Sequence, residues 1–67
     1  MSPHSIAVSA ISAAIETMLL PGSGPVEEAK AETLVVAYFS LLAIDAEEFK
    51  HYCERIRSIA ARRKEAA

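Results

Sequence analysis

The chain is predicted to be all-α: a compact three-helix unit, assembled as a helical-bundle dimer. Three observations predict it. Pro21-Gly22-Ser23-Gly24-Pro25 holds both glycines and two of the three prolines, a combination that ends any regular element and reads as a loop. Elsewhere apolar residues recur at helical spacing, and no segment alternates cleanly with period two. Finally, 52% of the 67 residues are hydrophobic. A chain of this size buries only about 60% of the surface its unfolded form exposes, so the apolar excess calls for a second copy or another partner. Residues 1–67 are read as one small domain.

The first helix is expected over residues 3–20. Ser2 is placed to cap it, and Pro3 suits the first helical position, where a missing N–H costs nothing. Ser5, Ser9, Ser12 and Glu16 fall on one narrow stripe. Val8, Ile11, Ile15 and Met18 repeat at a/d spacing. Ile6, Ala10, Ala13 and Leu20 fill a further flank. A helix apolar over most of its circumference is usually buried on more than one side.

The second helix is expected over residues 26–43, with Glu27 and Glu28 in the first turn, where carboxylates suit the dipole. Twelve uncharged residues follow from Thr33 to Ile44. A strand there would have no partner for its backbone groups, which favours helix. Its large side chains point almost all round, so this helix is read as central, with Val36, Phe39 and Leu42 joining Ile11 and Ile15 as core or dimer residues.

The third helix is expected over residues 45–63. Asp45-Ala46-Glu47-Glu48 matches a capping box. The joint before it then shrinks to Ile44-Asp45. Phe49, Tyr52, Cys53, Ile56, Ile59 and Ala60 share an apolar stripe about 120° wide at 100° per residue. Charged residues cover the rest.

Charge is divided along the chain. Residues 1–48 hold seven acids and one base, and residues 49–67 hold six bases and two acids. Such a chain is suited to pairing head to tail with itself, or to presenting its basic end to an acidic partner. Arg55, Arg57, Arg62 and Arg63 are therefore the candidate partner-binding residues.

No residue pattern supports catalysis or a resident metal or cofactor. His51 and Cys53 sit two apart on a helix, so they project away from each other. A zinc site needs about four ligands. Cys53 reads as a small buried hydrophobe and His51 as solvated. The Pro-Gly loop lacks the phosphate-loop pattern and a preceding strand. One cysteine allows no internal disulfide and suits a reducing cytoplasm. Glu16 and the Pro-Gly loop interrupt the one stretch near membrane-spanning length.

These exclusions point to a non-catalytic protein-binding module: an adaptor, inhibitor or co-chaperone of a larger protein, acting as a dimer. The alternative is a small dimeric helix-turn-helix-like nucleic-acid-binding regulator. Against it stand a pI near 5.6, a joint too short for that motif, and bases scattered around the third helix.

Overall fold

The structure, a computed structural model, describes residues 2–66, with side chains through Arg63. The described residues form three helices and no strand: α1 (Pro3–Met18), α2 (Pro25–Ser40) and α3 (Ala46–Ala66). The all-α, three-helix expectation holds. Two helices end earlier than expected, at 18 rather than 20 and at 40 rather than 43, and α3 runs to 66 rather than 63.

Local chemistry explains where each helix starts. The Ser2 hydroxyl accepts a hydrogen bond from the Ser5 N–H at 3.1 Å, and Pro3 follows as the first helical residue. At α2, Gly24 has no side chain to cap with, but its N–H donates to Glu27 Oε1 at 2.7 Å and Pro25 begins the helix. At α3 the capping box is complete. The Glu48 N–H donates to Asp45 Oδ1 at 2.8 Å, and the Asp45 N–H donates to Glu48 Oε1 at 3.2 Å. Such caps satisfy amide groups that the first helical turn leaves without partners.

The helices run up, down, up. His4, at the start of α1, meets Glu48, at the start of α3, with Nε2 and Oε2 2.7 Å apart. At the opposite end Arg63 donates to the Gly24 carbonyl, just before α2. Between these points α2 and α3 lie antiparallel. Phe39 and Phe49 stack with ring centroids 4.5 Å apart, and Glu32, Val36, Phe49, Cys53 and Arg57 line one groove between the two helices.

The core lies between the helices, with α2 packed against both α1 and α3. Ala7, Ile11, Ile15 and Met18 come from α1, Ala31 and Val35 from α2, Ile44 from the corner, and Tyr52 and Ile56 from α3. No polar or charged side chain is buried among the described residues. Leu34, Tyr38, Phe39, Phe49, Cys53 and Ile59 pack partly against this cluster. Ile11 and Ile15 lie in this core, and Phe39 is half-buried at its edge.

Val36 and Leu42 do not belong to the core of the single chain. They are 52% and 88% exposed. The apolar run 33–44 offers side chains all round α2, and the bundle takes the side carrying Ala31 and Val35. Leu42 lies beyond the helix altogether. The Ala43 N–H donates to the Tyr38 carbonyl at 2.9 Å and the Leu42 N–H to the Phe39 carbonyl at 3.0 Å. That pair of bonds is a Schellman ending, which requires a left-handed residue, usually glycine. Here Leu42 takes it, at φ 61°. The joint therefore spans Leu41–Asp45, longer than the Ile44-Asp45 corner the sequence suggested.

Candidate interaction surfaces

Three surface regions stand out: the outward face of α2, the arginines of α3, and the two ends of the bundle.

At 100° per residue, Val26, Ala29, Thr33, Val36, Ala37 and Ser40 share the side of α2 opposite Ala31 and Val35. All six are exposed, and none is charged. Lys30 and Glu32 flank them. Thr33 donates its hydroxyl to the Ala29 carbonyl at 2.8 Å, so it offers little polarity outward. Ala29, Thr33 and Ala37 recur every four residues, leaving a shallow channel beside Val36 where another helix could approach closely. On α1, Ile6, Ala13 and Thr17 make a second exposed, uncharged stripe. Thr17 likewise turns its hydroxyl back, to the Ala14 carbonyl at 2.6 Å.

The four candidate arginines do not form one patch. Arg55 and Arg62 lie one above the other on one exposed edge of α3. Arg57 is on the opposite edge, beside Glu32 and Cys53 in the α2–α3 groove. Arg63 turns inward. It continues the inward row of Tyr52, Ile56 and Ile59, one turn past the last apolar core residue, and its Nη1 donates to the Gly24 carbonyl at 3.2 Å and toward Ser23 Oγ at 3.5 Å. Ser23 in turn donates to the Met18 carbonyl at 2.7 Å. Arg63 thereby ties α3 to the α1–α2 loop. The clue in the sequence was its spacing from Tyr52, Ile56 and Ile59, although only the loop's position shows what it meets.

Beside Arg63 lies a cleft of about 320 Å³, walled by residues 18–23 on one side and by Ile59, Arg62 and Arg63 on the other. Leu19 and Leu20, on its wall, are largely exposed. At the other end of the molecule Leu41 and Leu42 project from the α2–α3 corner. Among the described residues, no group of three or more His, Cys, Asp or Glu side chains lies close enough to hold a metal ion. His51 is exposed with its ring edge-on to Tyr52, and Cys53 is half-buried against the core.

Glu48 combines two roles. It closes the α3 capping box and holds His4. The His4 hydrogen bond, and after it the Asp45 N–H, keep the Glu48 carboxyl below its ordinary pKa.

The chain matches no protein-family model, and no significant match to a curated protein or a solved structure is found. Among the described residues no helix is long and apolar enough to cross a membrane.

Proposed function

We propose that the chain is a non-catalytic protein-binding module, an adaptor, inhibitor or co-chaperone of a larger protein, that works as a homodimer. The observation that carries this reading is the uncharged outward face of α2 from Val26 to Ser40. Large contiguous apolar surface is unusual on a monomer and marks contact with another protein. The accessible area of the chain is 4630 Å². A monomer of this mass is expected to expose about 4,100 Å², so the single chain hides no more surface than an ordinary monomer of its size. Pairing two α2 faces about a two-fold axis covers the stripe from Val26 to Ser40 without burying a charge. Arg55 and Arg62 then remain at the edge for carboxylates of the larger partner, where arginine is favoured for its bidentate geometry.

Light scattering on the purified chain and on Val36→Glu tests the dimer. At low micromolar concentration the expected result is twice the chain mass for the wild type and a folded single chain for the variant. A wild type that stays at 7.2 kDa across micromolar concentrations overturns it. The larger partner is tested with Arg55→Glu/Arg62→Glu, which should keep its fold and lose the protein that co-purifies with the wild type.

The nucleic-acid reading finds less support. The longer α2–α3 joint removes one objection to it. Yet the helices of a helix-turn-helix cross at about 90–120°, whereas α2 and α3 lie antiparallel, meeting at Phe39 and Phe49 at one end and at Gly24 and Arg63 at the other. The arginines that would meet phosphates are split between two edges.

A further inference from the structure

The two ends of the bundle carry surfaces of opposite form, a pair of exposed leucines at one and an apolar cleft at the other. At the α2–α3 corner, Leu41 and Leu42 are 73% and 88% exposed. Leu42 holds a left-handed backbone, φ 61°, which costs a side-chain-bearing residue about 1–2 kcal/mol. Packing within the chain does not repay that cost, because the side chain is almost wholly in solvent. Strain kept at such a position points to a use outside the fold. Residues 41–48 include three acids, Asp45, Glu47 and Glu48, and no base.

The opposite end offers the complement. Its cleft of about 320 Å³ has apolar walls from Met18, Leu19, Leu20 and Ile59, and its only charged lining residues are Arg62 and Arg63. The walls of the cleft are fixed by bonds within the chain: Ser23 donates to the Met18 carbonyl, and Arg63 to the Gly24 carbonyl. Its volume is large enough to receive leucine side chains.

We propose that the Leu41-Leu42 corner of one chain seats in the Leu19-Leu20-Ile59 cleft of a second copy, with Glu47 of the first meeting Arg62 of the second. The up-down-up topology puts corner and cleft at opposite ends, so the contact is end to end. It is also heterologous: each copy keeps an unused corner and an unused cleft, and assembly continues until a ring closes or a filament grows. The surface is separate from the α2 face, so it stands or falls independently of lateral pairing; where it forms, Arg62 is taken by the second copy and Arg55 alone is left for the larger partner.

A contact with two different halves has a distinctive test. Leu41→Ser/Leu42→Asn removes the knob, and asparagine tolerates the left-handed backbone. Leu20→Ser/Arg62→Glu damages the cleft. All four positions are exposed, and retained helicity and a cooperative melt establish that both variants fold. Sedimentation is followed from micromolar to millimolar concentration in chains that also carry Val36→Glu, which removes lateral pairing. The parent chain is expected to grow in mass with concentration. Each variant alone is expected not to grow. Their equimolar mixture is expected to form a one-to-one complex, because each supplies the half the other lacks. Adding Glu47→Arg to Arg62→Glu in one chain should restore growth lost on Arg62→Glu alone. A parent chain that does not grow, variants that grow as it does, or a mixture no heavier than its components overturns the proposal. A failure of lateral pairing would register separately, as an unchanged mass on Val36→Glu in the otherwise native chain.

Discussion

The two joints of this bundle meet a similar geometric demand in opposite ways. Each reverses the chain and each uses one left-handed residue. At the α1–α2 joint that residue is Gly22, φ 85°, with nothing near its α-carbon that a side chain would strike. Around it the loop is bonded into the fold through Ser23, Gly24 and Arg63. At the α2–α3 joint the left-handed residue is Leu42, exposed and strained. One joint is built as stability alone would build it. The other keeps a large apolar side chain in solvent at an energetic cost. The difference separates residues explained by folding from residues that folding leaves unexplained.

The largest expected effect lies between the joints. Ile56 is fully buried, and Ile56→Ala should cost about 2–5 kcal/mol. For so small a domain this is most of its stability, so the variant should be largely unfolded at room temperature by circular dichroism. A cooperative melt close to wild type would mean that the joints, and not the core, hold the bundle together.

The joints themselves should respond with opposite signs. Gly22→Ala places a side chain in left-handed backbone and should destabilise by about 1 kcal/mol. Leu42→Gly relieves that strain, less the entropy that glycine loses on folding, and should stabilise by about 0.5–1 kcal/mol. In a domain of this size each kcal/mol moves Tm by roughly 4–8 °C. A Leu42→Gly chain that melts lower than wild type would mean that Leu42 contributes to the fold despite its exposure, and the contrast between the joints would collapse.

The same contrast marks what could be read from the sequence. Helix starts were legible, because Ser2, Pro3, Pro25 and the Asp45–Glu48 box act within a few residues of themselves. The first joint was legible through its prolines and glycines. The second was not. No glycine, proline or asparagine stands between Leu41 and Ile44, so nothing local announces that the helix stops at Ser40. Nor could periodicity choose which side of α2 turns inward. A helix apolar nearly all round has no phase, and that choice falls to how Ala31 and Val35 fit against α1 and α3. Val36, read as a core or dimer residue, lies outside the core of the single chain for that reason. Arg63 was assigned to the solvated basic end because arginine usually stays there, yet its row runs straight down from Tyr52 and Ile56.

Arg63 sharpens the comparison from the side of the first joint. Its guanidinium holds the Gly24 carbonyl, whereas Arg55 touches nothing comparable. Hydrogen bonds to charged groups contribute about 1.5–3 kcal/mol when well buried. Arg63 is only half-buried, so Arg63→Ala should cost about 1 kcal/mol. Arg55→Ala should stay within about 0.5 kcal/mol. Urea midpoints of the two variants decide it. Equal midpoints would mean that the first joint is held by its own loop chemistry without α3.

The smallest effect belongs to the second joint, where Glu48 fixes the start of α3 and reaches across to His4. Its carboxyl titrates below the ordinary value because the His4 hydrogen bond stabilises the charged form, and the Asp45 N–H adds to this. A carboxyl group whose pKa is lowered by folding favours the folded state fully above its unfolded pKa. That contribution is lost as pH falls through the folded value. Tm should therefore drop with acidification across the carboxylate range, and Glu48→Gln should flatten part of that slope. The cause is separable. In His4→Ala the Glu48 carboxyl, followed by NMR titration, should move back up toward its ordinary pKa, because the larger of the two stabilising bonds is gone. Mutation of Asp45 would not give so clean a result, since it also uncaps α3. If the Glu48 midpoint is unchanged in His4→Ala, the contact between the first turns of α1 and α3 does not persist in solution. The second joint would then be held by its capping box, its Schellman bonds, the buried Ile44 and the stack of Phe39 on Phe49.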